Sequence, residues 1–232
     1  VGRHIAKYGA HEPELTRWIA NRIAASESAL FVDIGANVGW HALHAARGKS
    51  LEAVVAFEPD LFNAWLLDRN LMENGIDNVI VCCCAVGAQR GQARLYRYKA
   101  SNQGRHSLAA DHGHGSKIVP VVDIDSALND LGFGNRRVTI IKIDVEGYEP
   151  AVIAGARATL ARTDAVILEY TPILSQGSGL STEAMLTALH ASGFLPYTLQ
   201  GNGSPTPMDA DELRTFRGQM DVIWLRQAAP AK

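Results

Sequence analysis

No stretch of this chain is apolar for long enough to cross a bilayer: its richest window, ALFVDIGANVGWHALHAA, is interrupted by Asp33, Asn37 and two histidines. The first residues, from Val1 onward, lack the charged, apolar and small-residue succession of a secretory leader. Cysteine is scarce, with Cys82, Cys83 and Cys84 consecutive in one apolar run, NVIVCCCAVG. That arrangement excludes a disulfide framework, which needs dispersed pairs, and a zinc site, which needs gaps between ligands. The run reads as buried strand in a reducing compartment, the cytoplasm. An excess of one charge is missing too: 22 Lys and Arg face 24 Asp and Glu, and the basic residues are scattered. Without a basic stripe to track a phosphate backbone or an anionic surface, neither nucleic acid nor a membrane is an expected partner.

What is present is enough apolar residue, 47% of 232, to fill one globular core, so a single domain over residues 1–232 is expected. Continuous apolar runs alternate with amphipathic patterns: ALFVDI, AVVAFE, NVIVCC, VTIIKID, AVILEY, FLPYTL and MDVIWL are separated by helix-like stretches such as DLFNAWLLDRNLMENG and EPAVIAGARATLAR. Strands without a polar face are buried on both sides, which predicts an α/β, doubly wound, mostly parallel sheet with helices on both faces. Residues 1–25 fall outside the alternation and read as an arm and a helix, PELTRWIANRIAA, with Pro13 in its first turn. Residues 88–125 read as short strands around a polar loop rich in glycine and histidine, a strand and loop insertion expected to act as a substrate lid.

The first strand ends in VDIGANVG. A strand tip at Asp33, a turn through Gly35 and Asn37, and a helix after Gly39 make the opening βα unit of a nucleotide-binding sheet, whose ligands sit at the carboxyl ends of the strands. A dinucleotide site needs glycine at the second turn position so that a pyrophosphate can approach the backbone; here that position is Asn37. The second strand ends at Glu58, 25 residues after Asp33, where a carboxylate can accept hydrogen bonds from both hydroxyls of a ribose. A nucleoside without phosphates fits both features, and S-adenosylmethionine is such a compound. Asp33 would face the ammonium of its amino-acid tail, and the helix start with His41 its carboxylate. Glu12 would fold the arm over the cofactor, or serve simply as an acid in the first turn of its helix.

The segments FVDIGANVGWHALHAA, VVAFEPD and above all IIKIDVEGYEPAVIAGA resemble the FkbM family of S-adenosylmethionine-dependent methyltransferases, as do YGAHEPELT and SNQGRHSL. The resemblance runs from about Tyr8 to Pro172 and departs at His11, where an aromatic residue is common. It implies a Rossmann-like class I methyltransferase: a seven-stranded sheet with one antiparallel strand, MDVIWL, and methyl transfer to a hydroxyl of a sugar, polyketide or other secondary metabolite. It carries Asp33, Gly35, Asn37, Gly39 and Glu58 onto the cofactor, and Asp144 and Glu146 onto the reaction end of the pocket. Pro59 and Ala85 belong to the same expected cofactor set, and Asp144 is counted at both ends.

For methyl transfer the protein must align a nucleophile, remove its proton and keep water out. Asp144, at a strand end, and Glu146, in a turn loosened by Gly147, are the candidate bases; alternatively Asp144 caps the helix starting near Pro150 or bonds the cofactor amine. His106, beside Ser107 in the lid, is a further candidate base or substrate contact. Asp144 and Glu169 could also hold Mg²⁺ as acids of the fourth and fifth strand ends, but Tyr170 follows Glu169 where an asparagine would complete the set, so no metal is expected. His112 and His114 read as solvated loop residues, and His44 as one that packs or faces solvent on its helix. N-methylation of an amine or peptide amide, a catalytically silent cofactor-binding module and a nicotinamide-dependent oxidoreductase are the competing functions; Asn37 disfavours the last.

Overall fold

The computed structural model describes residues 2–98, 106–176, 179 and 181–227, with residues 2–4 described in backbone only. The first half runs α1 (Gly2–Tyr8), α2 (Pro13–Ala24), β1 (Ala29–Ile34), α3 (Trp40–Ala46), β2 (Leu51–Phe57), α4 (Leu61–Glu73), β3 (Val79–Cys82), β4 (Ala85–Val86), β5 (Gly91–Tyr96) and β6 (Ser116–Val122). There follow α5 (Ile124–Asp130), β7 (Val138–Ile143), α6 (Glu149–Ala154), α7 (Arg157–Ala161), β8 (Thr163–Tyr170) and α8 (Pro172–Ser175). Last come α9 (Thr182–Ala191), β9 (Phe194–Leu199), β10 (Pro205–Pro207), α10 (Ala210–Thr215) and β11 (Met220–Arg226).

Every residue of β1 and β7 is buried, as unbroken apolar runs require, and the two strands pair in parallel at the centre of the sheet. The order is β10-β9-β11-β8-β7-β1-β2-β3. The sheet therefore has eight strands rather than the expected seven. MDVIWL, as β11, runs antiparallel to both its neighbours, but β10 is a second antiparallel strand. That strand is three residues with proline at both ends, which reads as loop; at a sheet edge, a missing N–H costs no ladder bond. The cysteines also correct the sequence reading: Cys82 and Cys84 are half-buried and Cys83 is exposed. β3 is the other sheet edge, so it is covered far less than the central strands.

Side chains alternate between two cores. Leu30, Val32 and Ile34 of β1 join the core under α5, α6 and α9, whereas Ala29 and Phe31 join the core that Leu15, Trp18 and Ile19 of α2 cover. The same period of two puts Asp33, Lys142, Glu169 and Asp221 on the α2 face, each just beyond an apolar residue of that core: Phe31, Ile140, Ile167 and Ile223. Register gathers them: Asp33 pairs with Lys142 and Glu169 with Asp221. A separate three-stranded sheet, β4-β6-β5, stands over the strand tips with its own small core of Ala85, Leu95, Val119 and Val121.

Candidate functional site

The β1 tip is bound tightly to its neighbours. The amides of Gly35 and Ala36 both donate to the carbonyl of Phe57, the last residue of β2, at 2.9 and 3.0 Å. Gly35 has φ +85°, and a Cβ there would lie 1.8 Å from the carbonyl oxygen of Asp144, so the close approach of β1 to the β7 tip demands glycine. Asn37 is left-handed as well (φ 53°), a conformation its side chain supports by accepting from the Val38 amide at 2.9 Å.

These tips form the floor of a crevice open to solvent. Gly35, Asn37, Glu58, Pro59, Ala85 and Asp144 all line it; Glu146 and His106 complete the expected residues found there. Phe57, Val86, Leu95 and Leu108 supply apolar walls, and Asn63 and Tyr148 further polar groups. Glu58 is the central acceptor: Oε2 takes the Asn37 amide and Oε1 the Asp60 amide, both at 2.8 Å. Burial pushes its carboxyl up to about 7, against the pull of those two amides.

His106 closes one side. Its Nδ1 accepts from the Tyr98 amide at 3.0 Å, so a neutral ring carries its proton on Nε2, 3.9 Å from Asp60. Burial lowers its pKa in spite of Asp60, which itself is paired with Lys117 at 2.6 Å. In this state the ring's lone pair is taken by the Tyr98 amide and is not offered to a substrate proton. The next residue, Ser107, is fully buried; its hydroxyl donates to the Glu146 carbonyl at 2.6 Å and accepts from the Ala109 and Ala110 amides. The preceding part of SNQGRHSL, residues 101–105, lies outside the described residues.

The opposite end of the crevice is acidic. Asp144, Glu146 and Glu169 bring one carboxylate oxygen each within 4.8 Å of one another. Glu146 is held left-handed at φ 49°, between the Ser107 clasp and Gly147, whose missing side chain lets Leu174 approach. Glu149, fully buried, ties the turn by accepting the Gly147 amide at 2.9 Å, and burial raises its carboxyl to about 7. Glu169 accepts from Gln219 through Oε1; burial, then Asp144 and Glu146, push its pKa up. The buried Lys142 ammonium lies 2.8 Å from Asp144 Oδ2. Burial opposes its charge, but Asp144, Asp33 and Glu12 reverse that and hold its pKa above the usual lysine range. Asp144 thus does not cap α6, whose N-cap is Tyr148.

Asp33, Gly39, His41 and Glu12 do not reach the crevice wall. Gly39 packs against Leu43 and Leu67, where a Cβ would be under 3 Å from both. Asp33 is buried beneath the tip with neither carboxylate oxygen hydrogen-bonded among the described residues, and burial, offset by Lys142, raises it to about 6. Glu12 bridges two histidines, His41 Nε2 at 2.9 Å and His11 Nε2 at 3.2 Å. Burial alone would raise its pKa, but His41 and Lys142 draw it down to about 2. His44 packs on Trp40, and His112 and His114 lie near the Tyr98 ring. Sequence reasoning missed Lys142, Glu149 and Asp221. Lys142 was visible as a charge inside VTIIKID, an apolar strand in which a lysine must find buried partners.

The eight-stranded mixed sheet with helices packed on it is a class I methyltransferase-like α/β fold. The chain belongs to the FkbM methyltransferase family: the model of the methyltransferase FkbM domain matches residues 33–196. Among solved structures, methyltransferase FkbM from Methylobacillus flagellatus is similar at 18% identity and a TM-score of 0.51, over 86% of this chain but only 44% of that one. The chain therefore spans less than half the length of that relative. Precorrin-6y C5,15-methyltransferase from Geobacter metallireducens aligns at 11% identity and a TM-score of 0.52, over 96% of this chain and 92% of that one. The N-terminal domain of EvdMO1, solved in the presence of SAH and D-fucose, aligns at 12% and 0.50, over 94% and 84%. No curated protein matches the chain significantly. Among the described residues, no helix is long and apolar enough to cross a membrane.

Proposed function

We propose that this protein is an S-adenosylmethionine-dependent methyltransferase that methylates a hydroxyl of a small-molecule acceptor, such as a sugar, polyketide or other secondary metabolite. The observation that carries the reading is one crevice with Glu58 and Asn37 at one end and Asp144 and Glu146 at the other. A nucleoside fits the first end: Phe57, Ala85 and Val86 offer flat apolar contact for a base, and Glu58 retains lone pairs for two ribose hydroxyls. A pyrophosphate does not, because the Asn37 amide that would receive it is covered by the Glu58 carboxylate. S-adenosylmethionine, when bound, supplies a methyl group on a sulfonium, a leaving group that needs no assistance from the protein.

The chain's own residues then have to orient and deprotonate the acceptor. Asp144 Oδ2 is engaged by Lys142, which leaves Oδ1 to take the acceptor proton. Glu146, fixed by Ser107, would position the hydroxyl, and the lid residues His106 and Leu108 would keep water from the crevice. Asp33, a buried carboxylate beneath the β1 tip, would add negative potential for a cationic cofactor tail. Three carboxylates within 4.8 Å are also a donor set for Mg²⁺. Lys142 already places a cation 2.8 Å from Asp144, which favours the metal-free version, and full turnover in excess chelator is its expected result. The EvdMO1 domain, a protein of this fold solved with D-fucose present, is consistent with a sugar acceptor. The test is calorimetry of the purified protein with S-adenosylmethionine and with NAD, followed by mass spectrometry of candidate hydroxyl acceptors. Binding of NAD in preference to the methyl donor would overturn the reading.

A further inference from the structure

A second cluster of metal-ligating side chains stands apart from the crevice, between the N-terminal arm and the sheet. We propose that His11, Glu12 and His41 form a binding site for one divalent ion of the zinc or cobalt(II) class, which clasps the arm to α3. His11 and Glu12 lie on the link between α1 and α2, and His41 in the first turn of α3. The two Nε2 atoms and a carboxylate oxygen of Glu12 lie within 4.8 Å of one another. Metal–nitrogen bonds of about 2.0–2.1 Å put tetrahedral ligand atoms roughly 3.4 Å apart, so small side-chain rotations close the set. Two imidazoles and one carboxylate, with coordination positions left over for water, suit zinc-class ions; Mg²⁺ and Ca²⁺ prefer oxygen alone.

Both imidazoles direct Nε2 at the Glu12 carboxylate, at 2.9 and 3.2 Å, so an entering ion would displace the Nε2 protons that make these contacts and take ligand atoms already gathered there. His41 is almost fully buried, and its Nε2, the nitrogen directed at Glu12, is the atom it contributes to the cluster. Lys142 opposes a second cation in this nest, and Asp144 at 2.8 Å, with Asp33 and Glu12, offsets its charge. None of the three ligands lines the crevice.

The experiment titrates Co²⁺ alone into the full chain after chelator treatment and dialysis, and reads visible d–d absorption together with bound metal per chain. One equivalent is expected in the wild type and in a His112→Ala/His114→Ala variant, which removes the loop histidines. His11→Phe should weaken binding at least tenfold and abolish the rise in Tm that saturating Zn²⁺ produces in the wild type. A wild type that binds no Co²⁺, a site lost with the loop histidines, or undiminished affinity in His11→Phe each overturns the proposal. The first two outcomes need no change to the arm, so they decide the matter even if His11→Phe fails to fold. No readout involves methyl transfer, so the result stands apart from the functional reading.

Discussion

The backbone amide of Asn37 donates to Oε2 of Glu58 across the tips of β1 and β2, at 2.8 Å. One carboxylate thereby covers the position where a dinucleotide site exposes its amides, which supports the proposed ligand with hydroxyls instead of phosphates. Burial keeps the Glu58 carboxyl high, near 7, so a ligand that donates two hydrogen bonds stabilises the charged form and should bind better as pH rises through that value.

Glu58→Gln is expected to weaken S-adenosylmethionine binding by about tenfold or more, because the amide NH₂ would replace one of two acceptors and confront a backbone donor. Calorimetry measures this; an unchanged Kd would remove Glu58 from the cofactor site.

Gly35→Ala should destabilise the fold by roughly 3 kcal/mol or more. It adds left-handed strain to a Cβ placed 1.8 Å from the Asp144 carbonyl. Urea denaturation checks it, and a stability within experimental error of the wild type would contradict the contact.

Asp144→Asn keeps the shape of the acidic end and removes the base. Turnover at saturating cofactor should fall about 10²-fold while cofactor affinity changes little. Equal turnover would leave alignment alone as the source of rate and assign Asp144 to holding Lys142.

Glu149→Gln carries a pH signature. The folded pKa is raised by burial to about 7 from 4.5. The neutral carboxyl therefore contributes stability that is full below pH 4.5 and is lost as pH rises through 7, on the order of 3 kcal/mol in all. A neutral glutamine has no such loss, so the destabilisation caused by Glu149→Gln should shrink steadily between those limits. Urea melts at several pH values give the difference, and a cost independent of pH would show that Glu149 titrates normally.

Much of the site is legible in the sequence. The turn from Asp33 to Gly39, Glu58 at the end of the second run and the Asp144–Glu146 segment are local features, and local sequence sets which end of a strand they occupy. Gly35, Asn37, Glu58, Pro59, Ala85, Asp144, Glu146 and His106 do share one crevice. Other residues lie away from where the pattern points. Glu12 and His41, outside the crevice lining, bond each other, and within the crevice His106 turns its acceptor nitrogen to Tyr98. β10 is invisible in the sequence because three residues with two prolines carry no strand periodicity; an edge position tolerates them all the same.

By itself the sequence determined a mostly parallel α/β sheet, which residues stand at its first two tips and the scatter of its basic residues. All three follow from spacing along the chain and from composition. Only the tertiary structure decided that Asp33 lies beside Lys142, that Ser107 clasps Glu146 from 39 residues away, and that His11 and Glu12 meet His41. Alternation along a strand tells which face a side chain takes. Which side chains meet on that face depends on the order and register of strands brought together by crossovers, and these are settled by packing the whole core.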